Sequence, residues 1–297
     1  MIGPLVSGLC DDAAIFPPGN LPLAEAVPAH LRHVRSSYGD LVGPLVLSAA
    51  ACAQLGPLVA AYDDGVLALA VTCPEPAAIA GVAAAVAAHP AVRLVALEVA
   101  LPEPMAPGEV VPAVDLALAG LDGPAPQVYV EVPRDARRLE LIRALAASPY
   151  RAKFRTGGVR ADLYPDCTEL AAAVRACVDA DLPFKATAGL HHAIRNTDPA
   201  TGFDQHGFVN VLVAVAAAQG GADAAELARV LADRDGRALA ARLRALSPQE
   251  VRRLRAGFAS FGTCSIDEPR DELTDLGLLG APGPTGAPGP TSEGASA

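Results

Sequence analysis

Eight times along this chain, a short apolar run of strand length gives way to an Ala/Leu-rich stretch of helical length. Strands are expected near 13–16 and at 44–49, 66–72, 92–100, 126–132, 150–156, 183–188 and 258–264. Helical segments are expected over roughly 21–40, 51–62, 75–88, 108–120, 135–147, 167–180, 208–218, 222–245, 248–256 and 269–277, with a long polar loop at 191–207. Local chemistry punctuates the pattern. Pro17-Pro18 stops the first strand. Asp135 reads as a helix cap, Asp166 with Glu169 as a capping box, and Ser247-Pro248 with Glu250 as a helix start. Strands that alternate with helices build a parallel sheet with helices on its faces. Eight such units in a chain of 297 residues match a (β/α)8, or TIM, barrel better than an open sheet. The expected organisation is therefore α/β, a single barrel domain over 1–279. From Gly280 the chain repeats Gly-Ala-Pro-Gly-Pro-Thr, so 280–297 is expected to be a disordered tail with nothing to bury.

Composition narrows the partners. At 52% hydrophobic and 4% aromatic residues the core must be made of Ala, Val and Leu. The net charge of −10 is spread without a basic run, which argues against nucleic acid and anionic membrane surfaces and leaves small molecules and further copies of the chain. No uninterrupted apolar stretch approaches the roughly 20 residues needed to span a bilayer. Residues 1–8 lack the charged and apolar segments of a secretory signal. The six cysteines, Cys10, Cys52, Cys73, Cys167, Cys177 and Cys264, are scattered. They read as reduced small hydrophobes in a cytoplasmic protein rather than a zinc or redox motif.

Of 23 Lys and Arg residues only two are lysine, Lys153 and Lys185, and both lie in similar short strands that run into Thr-Gly or Thr-Ala-Gly turns. Arginine stays protonated near neutral pH, whereas a desolvated lysine can lose its proton and attack a carbonyl. Period-two alternation sends Ala152 and Phe154 towards the outer helices and turns Lys153 and Arg155 inward. The same reasoning turns Lys185 and Thr187, Glu131 and Glu98 inward. Two lysines, an arginine and two carboxylates thus converge from four successive strands near the mouth where barrels of this kind hold their active sites. They could also pair among themselves, Glu98 with Arg155 or Glu131 with Lys153, as a purely structural network.

Gly157-Gly158 and Gly189 follow the two lysine strands and would let backbone N–H groups approach an anion, with Arg155 and His191 adding charge. A phosphate or carboxylate on the substrate is expected. His191, His192 and His206 form the densest histidine group, with acid–base or substrate-contact roles open to them and Asn210 placed to join them. With Glu98 and Glu131 they could instead hold a divalent metal such as Mg, although their spacing matches no closed zinc pattern. The primary expectation is no metal and no cofactor. Asp11 and Asp12 precede strand one and could reach the mouth, with surface residues before a Pro-Pro turn as the default reading.

Lys153-Phe154-Arg155-Thr156-Gly157 resembles the strand-six Lys-x-x-Thr-Gly segment of deoxyribose-phosphate aldolases, class I aldolases of the (β/α)8 fold. Lys185-Ala186-Thr187-Ala188-Gly189 resembles their strand-seven lysine segment. The resemblance implies that Lys153 forms a Schiff base while Lys185 lowers its pKa, and that the chain is a lyase of carbohydrate metabolism acting on a small carbonyl compound. Glu98 stands in place of that family's strand-four aspartate, and Phe154 and Arg155 replace small hydroxyl residues. The stretches Asp11-x-Ala13-x-x-Phe16-Pro17-Pro18, Gly189-Leu190-His191-His192 and His206-Gly207-Phe208-x-Asn210 are also similar to a family of bacterial proteins, a likeness that implies no activity. A metal-dependent lyase or isomerase and a non-catalytic anion-binding barrel are the two alternatives.

Overall fold

Strand residues point alternately to opposite faces, so a strand sealed in a barrel divides its side chains between the lumen and the helical layer. Val128 and Val130, Ala152 and Phe154, and Phe184 and Ala186 all join the large core between sheet and helices, while Tyr129 between the first pair joins a separate interior cluster. The architecture that follows is a closed barrel of eight parallel strands. The computed structural model describes residues 3–63, 66–121 and 123–280.

In chain order the first half comprises β1 (Cys10–Asp12), α1 (Leu23–Val34), β2 (Val42–Ser48), the short helices α2 (Ala49–Cys52) and α3 (Gly56–Val59), β3 (Leu67–Cys73), α4 (Ile79–Ala87), β4 (Val92–Val99), α5 (Pro107–Leu118), β5 (Gln127–Glu131) and α6 (Arg138–Ala146). The second half comprises β6 (Arg151–Arg155), α7 (Cys167–Asp179), β7 (Phe184–Thr187), a small hairpin of β8 (Asn196–Thr197) and β9 (Asp204–Gln205), α8 (Phe208–Gln219), α9 (Ala224–Ala232), α10 (Gly236–Arg244), α11 (Pro248–Gly257), β10 (Phe258–Thr263) and α12 (Asp267–Asp275). Neighbouring strands β1 to β7 pair in sequence, and β10 closes the ring between β7 and β1.

The expected barrel is present, with several local differences. Strand one is Cys10–Asp12, not 13–16. Its two aspartates are buried inside the strand rather than exposed before it, because each has a partner: Lys185 for Asp11 and His30 on α1 for Asp12. The helix expected over 222–245 is two helices, since the Asp235 carboxylate accepts from the Ala238 N–H and starts α10 afresh. Asp135 does not cap α6, which begins at Arg138; its carboxylate accepts from the Arg137 N–H and guanidinium in the preceding turn. Asp166 does cap α7, at 2.8 Å from the Glu169 N–H, but Glu169 turns away to Arg134 and Arg138 instead of completing the box. The loop 191–207 carries the β8–β9 hairpin. Beyond Gly280 the Gly/Pro-rich tail lies outside the described residues. Among the described residues no helix is long and apolar enough to cross a membrane.

Small inward residues make room for large charged ones. Val46, Ala70 and Ala96, on β2, β3 and β4, line one side of the lumen with Tyr129. Interiors are packed at near-crystalline density. Towards the two ends of the lumen Lys153 lines a cavity with Val46, and Lys185 another with Ala96.

Candidate active site

Inside the barrel the charged side chains form one continuous chain. Arg155 Nε lies 3.2 Å from Glu131 Oε1, and Glu131 Oε2 lies 2.9 Å from Lys153 Nζ. Lys153 Nζ continues to Glu98 Oε2 at 3.1 Å, and the other Glu98 oxygen takes Lys185 Nζ at 2.5 Å. Lys185 Nζ also meets Asp11 Oδ2 at 2.5 Å, and the Ser260 hydroxyl donates to that same oxygen at 2.7 Å. The chain holds three carboxylates and three cations, from β1, β4, β5, β6 and β7. Apart from Arg155 and Glu131 it is almost wholly shielded: side-chain exposure is 1% for Lys185, 2% for Glu98 and 4% for Lys153. Tyr129 lies beneath, its ring centroid 5.3 Å from Lys185 Nζ, within cation–π range.

Burial and pairing compete at each group. Burial alone pushes the Lys153 ammonium towards its neutral form, but Glu98 and Glu131 outweigh it and the net shift is upward. Lys185 behaves likewise: burial lowers its pKa, Asp11 and Glu98 raise it, and the pair wins. Burial raises Glu98, yet Lys185 and Lys153 pull it down to about 2. Burial also raises Glu131, which Lys153 and Arg155 bring below its ordinary value. Asp11 alone among the three acids stays raised, by burial, with Lys185 opposing. The resting network therefore keeps both lysines charged. Lys185 does not hold Lys153 deprotonated by like-charge proximity, because the carboxylates between them dominate.

The two lysines differ in what they face. Lys153 lines a cavity of about 200 Å³ at the C-terminal ends of the strands, together with Arg155, Thr187, Gly158, His191 and Cys264. Phe16, Val46 and Leu163 give it apolar walls. Lys185 lines instead a cavity at the N-terminal face, with Asp11, Arg151 and Ser260. His191 stands in the first cavity with its Nδ1 3.3 Å from Cys264 Sγ, and burial lowers its pKa, favouring the neutral ring.

The other expected site residues lie elsewhere. His192 Nδ1 meets Glu272 at 2.7 Å on α12, outside the C-terminal cavity. His206 is buried, its Nε2 2.7 Å from the Pro165 carbonyl and its Nδ1 3.4 Å from Arg195 Nη1; burial lowers its pKa to about 4. Asn210 staples three backbone segments, donating to the Val230 and Asp233 carbonyls at 2.8 and 2.7 Å and accepting from the Arg195 N–H at 2.9 Å. The histidines are thus dispersed, and among the described residues no three His, Cys, Asp or Glu side chains are grouped to hold a metal ion. Gly157 and Gly189 pack against each other rather than cradling the cavity. A Cβ on Gly157 would lie 2.7 Å from the Gly189 Cα and 2.6 Å from the Tyr164 ring, and Gly189 takes φ +71°. The Thr156 hydroxyl ties these two loops together through the Ala188 carbonyl at 2.5 Å.

Asp11, Ser260 and Cys264 complete the picture and were not among the expected site residues. For Asp11 a usable signal exists: with strand one placed three residues earlier, starting at Cys10, alternation puts Asp11 and Asp12 on opposite faces, Asp11 inward. Ser260 and Cys264 carry no comparable signal, since a lone hydroxyl or thiol in a strand reads as packing.

No protein-family model matches the chain, and no curated protein sequence matches it. Among solved structures it is similar to deoxyribose phosphate aldolase from Aeropyrum pernix, described as a unique tetrameric structure, with a TM-score of 0.51 and 14% identity over 93% of this chain and 94% of that one. At that identity the likeness is one of barrel architecture over nearly the whole length of both chains.

Proposed function

We propose that the chain is a Schiff-base lyase of the class I aldolase type, with Lys153 as the nucleophile. The observation that carries the reading is the position of the Lys153 ammonium, which lines the C-terminal cavity while held between two carboxylates. Lys185, equally rare in the sequence, faces the opposite end and serves to fix Glu98. Reaction begins when Lys153 passes a proton to Glu131. Glu131 is the better acceptor of the two acids: it is partly exposed, whereas Glu98 is clamped by both lysines and sits at about 2. The free amine adds to the substrate carbonyl carbon, the carbonyl oxygen takes up two protons and leaves as water, and a protonated imine remains. That imine draws the electron pair of a neighbouring C–C bond, whose departing carbon leaves as an aldehyde while its hydroxyl gives its proton to Glu131, or of a C–H bond whose proton goes to Glu131.

Once Glu131 takes a proton its hold on Arg155 weakens, and Arg155, with 41% of its side chain exposed at the mouth, is then available to a phosphate or carboxylate on the substrate. A cavity of about 200 Å³ is smaller than the ~300–1,000 Å³ of drug-sized sites, which supports a small aldehyde or ketone. The similar solved structure is a deoxyribose phosphate aldolase, and it supports a phosphorylated carbonyl compound as the substrate class and further copies of this chain as its protein partners.

The test is borohydride reduction in the presence of a panel of small aldehydes and ketones, with and without phosphate, followed by peptide mass mapping. A reduced adduct on Lys153, absent from Lys153→Arg, is expected. Unmodified Lys153 across the panel, or an adduct on Lys185 alone, overturns the assignment.

A further inference from the structure

The N-terminal face of the barrel carries a cavity of about 370 Å³ that shares no lining residue with the one at the C-terminal mouth. Arg151, Lys185 and Arg255 supply its positive charge and Asp11 its only negative charge. Lys185 and Asp11 are paired with each other, and Asp11 is further occupied by Ser260. The two arginines are left over: among the described residues neither has a carboxylate within 4.0 Å. Among the described residues the Arg151 side chain, at the start of β6, donates only to the Tyr129 hydroxyl, at 3.2 Å. Arg255, on α11, uses its Nη2 for the Ser7 and Ala259 carbonyls at 2.9 and 2.7 Å, while its Nη1 is buried with no partner among the described residues.

A buried donor without an acceptor is rare in native proteins and calls for an unseen partner. Water could satisfy the hydrogen bond. It would leave the two guanidinium charges sharing only the Asp11 carboxylate, which is already paired with Lys185. Guanidinium forks match the oxygens of phosphate and carboxylate groups, and two of them match a doubly charged one.

We propose that this face holds a second binding site, separate from the Lys153 cavity, for a small dianionic oxyanion of the phosphate type, gripped by Arg151 and Arg255. The Tyr129 hydroxyl, which accepts from Arg151, keeps its own proton to donate to the same ligand. Lys185 forms part of the inner wall, so an anion there lies within electrostatic reach of the central ion chain. Bottom faces of such barrels ordinarily serve stability; here two unneutralised arginines point to a ligand.

Titration of the full-length protein with inorganic phosphate, followed calorimetrically in a low-salt buffer, tests the assignment. One saturable site is expected. Arg255→Met and, because the Arg255 anchor to Ser7 and Ala259 is structural, the gentler Arg151→Gln should each weaken binding by about tenfold or more, the loss of one charge-assisted hydrogen bond. Arg155→Gln, at the opposite mouth, should leave this site's affinity unchanged. Acetate, a monoanion, should bind at least about tenfold more weakly than phosphate, the counterpart of one lost charge-assisted contact. Absence of saturable binding, loss of binding in Arg155→Gln but not in Arg151→Gln, or equal affinity for acetate each overturns the proposal. None of these outcomes depends on Lys153 forming an imine.

Discussion

Replacing Lys185 by Met isolates the energetics of the buried ion chain. The methionine stem fills nearly the same volume, so the packing change alone should stay below about 1.5 kcal/mol. The charge change is larger. Glu98 keeps Lys153 at 3.1 Å, but Asp11 loses the cation 2.5 Å away and retains only the Ser260 hydroxyl at 2.7 Å. A buried carboxylate stripped of its partner typically costs about 3–5 kcal/mol, and Asp11 is 3% exposed, so that range applies. Adding Asp11→Asn removes the orphaned charge while keeping an acceptor for Ser260. The double variant should therefore recover about half of the loss or more, a coupling of roughly 2–3 kcal/mol between the two sites. Direction with pH follows from Asp11, whose folded pKa is raised by burial and rises further once Lys185 is gone. A carboxyl raised on folding contributes stability below its unfolded pKa and loses it as pH rises through the folded one. The deficit of Lys185→Met should accordingly shrink as pH falls from about 7 towards 5. Urea unfolding at both pH values measures it, read as a change in midpoint at constant slope. A deficit under about 1 kcal/mol, or a double variant no more stable than the single one, refutes the reasoning.

Two further outcomes can be checked by the same unfolding experiment. Gly157→Ala should cost about 1–3 kcal/mol, because the new Cβ meets the Gly189 backbone, which cannot step aside cheaply. Gly158→Ala should cost less, since what it meets first is the tip of the Leu163 side chain at 2.4 Å; equal losses would show that the backbone pinch is not the reason for glycine at 157. His206, buried and lowered to about 4, stabilises the fold above its unfolded pKa of about 6.5 and loses that contribution, roughly 3 kcal/mol, as pH falls through the interval. The stability of the wild type minus that of His206→Gln should decline between those values and level off below the lower one; parallel curves would count against it.

The barrel itself was legible because strand–helix alternation is a whole-chain signal that local errors do not disturb. Inward placement of Glu98, Glu131, Lys153, Arg155 and Lys185 was legible too, since alternation assigns each strand residue to one face. Height along the barrel axis was not. Lys153 and Lys185 occupy equivalent faces of adjacent strands and pair in register, yet strand tilt carries one to the C-terminal cavity and the other to the N-terminal one. Nor does alternation say who neutralises whom, so the Lys153 pKa was expected to be lowered by Lys185, whereas Glu98 and Glu131 raise it. Asp11 and Asp12 look solvated as two adjacent aspartates before a Pro-Pro turn; a partner 174 residues away in sequence explains the burial of Asp11, and His30 on α1 that of Asp12. His206 and Asn210 looked like companions of His191 by proximity in sequence, while the hairpin of β8 and β9 folds them back onto Pro165 and α9.

The equality of acids and bases inside the barrel would have a consequence for the proposed imine. An ammonium and a protonated imine carry the same unit charge at the same nitrogen, whereas the carbinolamine between them is neutral. The carboxylates flanking Lys153 would thus solvate reactant and condensed product alike and disfavour what lies between. Under that proposal water leaves and the lumen's net charge is conserved, while the ion pairs disturbed are the two that Glu131 makes, with Lys153 and with Arg155.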